Sequence, residues 1–400
     1  MSDSVTNHTA RPLRVGIDGR VLMHYELRGF TRTTIELFRA MQDIAGSDLE
    51  LISFSPGPLA PEFLKQLRIA SVVFSARREI LWEQVELPRQ LVKAGIDVFH
   101  ATANRGLPYR RVCKYVLTCH DVIDRLPEFC KGEHWRGTWR KKYSDFASRH
   151  SADKYLTDSE FSKRDICRFH GVAAERVAIV HLAADDSFHR KCPVEHISKV
   201  QIKYGLPRNY FLFLAGFDYR KNVSALLDAY AHLPSEVPSL VLAGEHKWEF
   251  AAVRDKIAVL GLTARVVCPE KIAQDDIPAI YQGAIALVHP SLYEGFGLQL
   301  AEAMACGTPV IASNVTSMPE VLDGCGLLVD PRDPASIAQQ MIRVVRDEAL
   351  RTTMVEKGRH RARDFSWRKS AGQVLAIYRD LLGRAAVPQA HAEHVLEERR

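Results

Sequence analysis

Between Ala284 and Ser313 the chain writes a complete strand, loop, helix and strand, and no other stretch constrains the fold as strongly. Ala284-Ile-Ala-Leu-Val-His289 is short and apolar, the pattern of a strand buried on both faces. Pro290 and Ser291 end it, and Glu294-Gly-Phe-Gly297 reads as a loop. Leu298 to Cys306 reads as a helix, with Gly307 placed where a left-handed C-terminal cap is wanted. Thr308 to Ser313 is the next buried strand. Doubly buried strands separated by helices belong to a parallel sheet covered on both sides.

The same alternation runs through most of the 400 residues. In the first half it predicts strands at Leu13–Asp18, Leu49–Phe54, Val72–Phe74, Val98–His100, Tyr115–Cys119, Lys154–Thr157 and Val177–Val180, and a helix over Thr33–Met41. A second series follows at Phe211–Ala215, Ser239–Ala243, Arg265–Cys268, Ala284–His289, Pro309–Ala312 and Gly326–Val329. The polar stretch Ala184–Pro193 breaks the rhythm. The expected organisation is an α/β chain with a disordered N-terminus (1–12), a first Rossmann-like domain (13–190), a linker (191–206), a second Rossmann-like domain (207–365), an amphipathic helix within 366–384, and a flexible tail (385–400). Two such domains facing each other create a cleft at the C-terminal strand ends, where open α/β sheets place their ligands.

Composition removes several classes. No uncharged apolar run reaches about 18 residues, so no spanning helix is expected. The first twelve residues lack an apolar h-region, which argues against a signal peptide and for the cytoplasm. The eight cysteines form no C-x-x-C pair, so reduced core thiols are expected rather than a metal or disulfide framework. A net charge of +6 suits phosphate-bearing substrates or an anionic membrane surface and is no nucleic-acid footprint.

The loop at Glu294 presents backbone amides at a helix N-terminus, a place that binds phosphate. The flanking carboxylates, Glu294 and Glu302, can accept hydrogen bonds from sugar hydroxyls. Leu214-Ala-Gly216-Phe-Asp-Tyr-Arg220-Lys221-Asn222 follows the first strand of the second series. Gly216 lets the backbone turn tightly; Arg220 can grip a diphosphate with its fork while Lys221 acts as a point charge.

The run EGFGLQLAEAMACGTPVIAS, from Glu294 to Ser313, resembles the C-terminal signature of the retaining glycosyltransferases of family 4, which have the GT-B fold. Their pattern is E-x7-E, with E-G-F/L-G after the first glutamate and A-x-G-x-P-V-I-A after the second. Gly216 to Asn222 matches the family's G-x3-R-K-N/G element, and Thr157-Asp-Ser159-Glu160-Phe-Ser162-Lys163-Arg-Asp165 resembles its S-E-x-S-K-x-D element, read mainly as a helix cap.

The resemblance implies transfer of a hexose from a nucleotide diphosphate sugar to a glycan or polyprenyl-diphosphate-linked glycan, with retention and without a metal. By that likeness the first domain (13–190) takes the acceptor, the second (207–365) takes the nucleotide sugar, and the helix of 366–384 crosses back to the first; Glu302 binds ribose hydroxyls and Glu294 the donor sugar. Arg220 and Lys221 face the diphosphate, and Gly295, Phe296 and Gly297 present amides to it. His120 in Thr118-Cys-His120-Asp121 bonds a donor hydroxyl near the anomeric carbon. Asp121 supports His120 or faces the acceptor.

Two elements depart from the family. Arg28-Gly29-Phe-Thr-Arg32 stands where relatives carry a glycine-richer G-I-G-R/K-Y loop; Gly29 is still expected to approach the cleft. Cys268-Pro269-Glu270 replaces the F-x-G-x-V segment that touches the base, so guanine and uracil both remain open. GDP-mannose is the first expectation for the donor, a UDP-sugar the alternative, and a nucleotide-sugar epimerase of the same fold the rival. No two aspartates form the Asp-x-Asp pair of metal-dependent transferases of the other common fold, so metal-free chemistry and no cofactor are expected.

In residues 131–149, Trp135, Trp139, Tyr143 and Phe146 recur at helical spacing among Arg136, Arg140, Lys141 and Lys142. Such a helix either lies on an anionic membrane or packs its aromatic face into the core.

Overall fold

The computed structural model describes residues 11–23, 29–129, 135–245 and 249–384. The expected N-terminal segment through residue 10, Arg28, residues 131–134 and the tail 385–400 lie outside the described residues.

Two parallel sheets organise the chain. The first has seven strands in the order β3-β2-β1-β4-β5-β6-β7: β1 Leu13–Asp18, β2 Leu49–Ser55, β3 Ile69–Val73, β4 Val98–Ala101, β5 Lys114–Thr118, β6 Lys154–Thr157 and β7 Val177–Ile179. The second has six, in the order β10-β9-β8-β11-β12-β13: β8 Tyr210–Leu214, β9 Ser239–Ala243, β10 Val266–Val267, β11 Ala286–His289, β12 Val310–Ser313 and β13 Leu327–Val329. Every pairing between these strands is parallel. The central strands, such as Tyr210–Phe213 and Ala286–His289, are buried on both faces, which is why they carry almost unbroken apolar runs. In each sheet the winding direction reverses once, between β1 and β4 and between β8 and β11.

The helix Leu298–Cys306 begins at Gly297 (φ 87°) and ends at Gly307 (φ 74°), both left-handed. Glycine takes that conformation without the Cβ clash other residues meet. The helix expected over Thr33–Met41 extends over Gly29–Ala45, burying Thr34, Ile35, Phe38 and Met41 against the first sheet.

The segment expected as a linker is instead built into the second half. Asp186–His189 and Val194–Tyr204 are helical, and Phe188, Val200 and Leu206 share a buried cluster with Tyr210 and Tyr281. Their partners, Tyr210 and Tyr281, come from farther along the chain, so no local pattern ties these helices to a core. The last helix, Trp367–Leu381, returns to the first half: Ala371, Val374, Leu375 and Tyr378 join the cluster of Val15, Phe38 and Val98. There Tyr378 Oη lies 2.6 Å from His100 Nδ1.

The two halves meet at the loop after β11. Ser159 and Ser162 donate to the Gly295 carbonyl at 2.6 and 3.0 Å. Glu320 of the second half accepts from the first amides of the helix Glu160–His170, at Glu160 N (2.9 Å) and Phe161 N (3.2 Å), satisfying orphan donors at a helix start. Among the described residues no helix is long and apolar enough to cross a membrane.

Candidate active site between the two sheets

Glu294 stands five residues past the end of β11, buried at 6% exposure. Its Oε1 accepts from Lys221 Nζ at 2.6 Å and from His289 Nε2 at 3.0 Å; its Oε2 accepts from Arg220 at 3.1 Å. Arg220 and Lys221 come from the turn after β8, so the reversal point of the second sheet brings these groups together. Burial would push the Glu294 carboxyl up; Lys221, Arg220 and the His289 N–H outweigh it and hold it well below the usual carboxylate range. Burial lowers His289, leaving a neutral ring that donates through Nε2. The backbone of Glu294 is clamped as well: its N–H donates to Thr316 Oγ1 (3.3 Å) and its carbonyl accepts from Ser317 Oγ (2.9 Å).

The Gly295-Phe296-Gly297 turn is forced by its neighbours. A Cβ on Gly295 would sit 2.2 Å from the His120 carbonyl of the opposite half, so only glycine lets the two halves approach this closely. The Phe296 ring points away from the cleft, edge-on to Phe365 at 5.3 Å between centroids; only its backbone is turned to the loop's business. No side chain caps the helix that follows, so its first amides are not taken by a residue of the chain's own cap. Gly216 has only Asp218 near the position of a Cβ, at 3.4 Å. The tight glycine here is Gly244, whose Cβ would meet the Ala215 carbonyl at 2.0 Å.

Glu302 lies one turn into that helix. Its Oε1 accepts from Arg32 at 2.5 Å and its Oε2 from Tyr281 Oη at 3.0 Å. Arg32 belongs to the first half, on the helix opened by Gly29, and its guanidinium covers the Phe188 ring at 4.9 Å. Both oxygens expected to meet ribose are therefore already engaged, one of them across the cleft. Among the described residues nothing lies within 4 Å of a Cβ on Gly29.

His120 is buried, with Nδ1 2.7 Å from Asp158 Oδ2 and Nε2 3.2 Å from the Thr102 carbonyl. Both contacts suit a ring whose two nitrogens both donate. Burial alone would lower its pKa; Asp158 outweighs that and raises it. The Phe30 ring stacks on it at 4.8 Å. Asp121 is pushed up by burial, against the pull of the Ile123 amide and Arg220, and Asn104 joins it to His120 by bonding both.

Sequence reasoning had named Glu294, Arg220, Lys221, His120, Asp121, Glu302 and the glycines. It missed His289, Asp158, Asn104, Thr316, Ser317, Tyr281 and the pairing of Arg32 with Glu302. His289 was visible as a histidine ending an apolar strand; the others take meaning only from chain-distant pairings.

Of the aromatic side chains described on the helix Trp135–Ser151, none packs into the core. Trp139 is 75% exposed, and Tyr143 and Phe146 are exposed too, while Ser144, Ala147 and Ser148 point inward. Gly137 does not interrupt the helix. Tyr109 stacks on both Phe146 and His150.

Comparison with known proteins places this geometry. Residues 27–188 match the model described as Glycosyltransferase Family 4, and residues 197–361 that of Glycosyl transferases group 1. The chain is 30% identical over 376 residues to the O-antigen chain mannosyltransferase B of Escherichia coli, covering 89% of this chain and 97% of that one. It is also 30% identical over 311 residues to the MMP alpha-(1->4)-mannosyltransferase of Mycolicibacterium hassiacum, covering 74% and 73%. Among solved structures, Anabaena Alr3699/HepE in complex with UDP and glucose superposes with a TM-score of 0.75 at 19% identity, over 92% of this chain and 100% of that one. The two facing parallel sheets are thus the GT-B architecture, and the chain belongs to the family 4, group 1 glycosyltransferases.

Proposed function

We propose that this glycosyltransferase moves mannose from GDP-mannose to a hydroxyl of a glycan or lipid-linked glycan in cell-surface polysaccharide assembly, with retention and without a metal ion. The observation that carries the reading is the buried Glu294, bracketed by Lys221 and Arg220 beside an uncapped helix N-terminus. The full-length likeness to an O-antigen chain mannosyltransferase supports the choice of sugar and pathway.

In this reading the bond from the anomeric carbon to the diphosphate oxygen breaks, and the leaving group gains negative charge. Arg220, Lys221 and the helix amides are fixed in place before that charge develops, which is when such groups count most. The acceptor hydroxyl forms the new bond on the same face, and its proton passes to the departing phosphate oxygen. Glu294 holds donor-sugar hydroxyls. Glu302 takes the ribose hydroxyls once Arg32 lets go of it, and His120 reaches the sugar by releasing Thr102. Thermal stability with GDP, UDP and ADP, each with and without EDTA, tests this: a nucleotide at one hundred times its dissociation constant stabilises by about 2.7 kcal/mol. A shift with GDP that survives EDTA, and an axial product linkage by NMR from GDP-mannose, are expected. Turnover with a UDP-sugar alone would overturn the donor, and loss of activity in EDTA the metal-free mechanism.

The exposed aromatics Tyr109, Trp139, Tyr143 and Phe146, with the exposed cations Arg110 and Lys142, support a peripheral site on the anionic inner face of a membrane. Such aromatics sit at headgroup level while the cations attract acidic lipids. Co-sedimentation with phosphatidylglycerol vesicles, weakened by Trp139→Ala and by salt, is expected. Equal pelleting with neutral vesicles or with the variant would refute it.

A further inference from the structure

The element from Thr157 to Asp165 does more than cap a helix. The cap itself is Ser159, whose Oγ accepts from Ser162 N at 3.0 Å, the usual duty of a serine at that position. The side chains around it reach out of the helix Glu160–His170. Asp158 holds the His120 ring at 2.7 Å. Asp165 accepts from Tyr293 Oη of the second half at 2.8 Å, and Ser159 donates to the Gly295 carbonyl at 2.6 Å. Glu320 reaches across to the amides of Glu160 and Phe161 in the same turn, at 2.9 and 3.2 Å.

Ser162 is placed differently from these groups. It is fully buried, and its Oγ lies 3.0 Å from the Gly295 carbonyl and 3.1 Å from the His120 carbonyl. Both oxygens can only accept, and a hydroxyl carries one proton to donate. The two carbonyls therefore compete for it. They also ride on different halves of the molecule: His120 and Ser162 with the first sheet, Gly295 with the second. Halves of this kind close on a ligand as units about a hinge. Drawing the second half away leaves the proton to His120; pressing it in offers the proton to Gly295.

His120 is held at four points. Asn104 accepts from its N–H at 2.8 Å, Asp158 and the Thr102 carbonyl take its ring nitrogens, and Ser162 ties its carbonyl. The first three partners belong to the first half and stay with it. The tie on the carbonyl is the one that answers to the position of the second half. A ring that turns from Thr102 toward a sugar needs its own peptide to give, and this tie governs whether it can.

We propose that Ser162 is a positioning residue that hands its proton from the His120 carbonyl to the Gly295 carbonyl as the halves close, loosening the His120 backbone when its ring is wanted. That a nucleotide closes the halves rests on the transferase reading of the cleft. Carbonyl NMR on the full chain tests the exchange. His120-Asp121 is the one His-Asp step in the sequence, so isotope labels on histidine carbonyl carbon and aspartate nitrogen show His120 as a single signal. Labels on glycine carbonyl carbon and phenylalanine nitrogen show Gly295 beside Gly29 and Gly216, whose signals are the ones lost in Phe30→Tyr and Phe217→Tyr. A carbonyl carbon moves downfield when its oxygen accepts a hydrogen bond. Saturating GDP or UDP is expected to move His120 upfield and Gly295 downfield. Ser162→Ala, which leaves the Ser159 cap in place, still binds nucleotide and loses the His120 movement. Glu320→Gln weakens the hold between the halves without any nucleotide and moves the two signals the opposite way. Any other pattern in the nucleotide-bound wild type, or the same movements in Ser162→Ala, overturns the proposal. A wild type that binds neither nucleotide fails the cleft reading instead, and the Glu320→Gln arm then decides the exchange alone: opposed movements uphold it, and their absence overturns it.

Discussion

The two reversal points of this molecule share a topology and differ in charge. After β8 come Arg220 and Lys221; Glu294 lies between them, and Asp218 meets Arg220 at 3.1 Å. After β1 and β4 come Asp18, Arg20 and Arg105, with Glu79 and Glu83 closing the wall. At the first, two cations face two carboxylates beside helix amides; at the second, three carboxylates face two guanidiniums. The few side chains that follow each strand, and not the shared topology, set the charge of each crevice.

The comparison breaks hardest at Glu294. Its replacement by Ala leaves Lys221 buried without a counter-charge, and such a loss costs about 3–5 kcal/mol; a urea midpoint close to wild type would show that the trio is not what holds this loop. Arg220→Ala, at a partly exposed position, is expected to keep the fold and to lower kcat/KM by a factor corresponding to about 2.7–4 kcal/mol. A drop confined to acceptor KM would move Arg220 from the donor to the acceptor.

Gly295→Ala pushes a methyl to within 2.2 Å of the His120 carbonyl. Overpacking of this kind costs about 1–3 kcal/mol, read here as a loss of turnover with both substrates. Gly29→Ala meets no described residue within 4 Å and is expected to stay within about 0.5 kcal/mol of wild type; a large loss of donor affinity there would restore the glycine loop to the diphosphate.

His120 sharpens the comparison through pH. Its folded pKa is raised above the usual 6.5, so the stability of the His120–Asp158 pair is fully present below about pH 6.5 and is lost as pH rises through the raised value. The stability gap between wild type and Asp158→Asn should therefore narrow between pH 6 and pH 9 in denaturant titrations. A gap that widens would mean a neutral ring. A gain rather than a loss is expected from Arg32→Gln. Freeing Glu302 removes a competing arrangement of the site, and nucleotide affinity should rise by about three- to tenfold by calorimetry. Weaker binding would mean that Arg32 turns to the nucleotide once released.

The second half was more legible in sequence than the first. Local rules write its central unit: an apolar strand, two left-handed glycines and a nine-residue helix from Leu298 to Cys306. Each signal lies within a few residues of its consequence. The edge strand Ile69–Val73 begins three residues before its expected start, because a half-exposed edge carries no continuous apolar run. The helices at Asp186 and Val194 were read as linker because their contacts, with Tyr281 and Tyr210, come from far along the chain. The site followed the same division. Glu294 and Arg220 stood inside motifs, whereas the grip of Arg32 on Glu302 joins positions 270 residues apart, and no local pattern announces it.

The return of the helix Trp367–Leu381 to the first sheet also sets an order of events during synthesis. Val374, Leu375 and Tyr378 complete a core whose other members, from Val15 to Val180, leave the ribosome long before. Domains emerge and fold from the N-terminus at roughly 5–20 residues per second, so this one waits with an uncovered apolar face until the second half has passed. A nascent chain stalled before residue 367 should stay protease-sensitive in its first half, and release of the last helix should close both halves in one cooperative step.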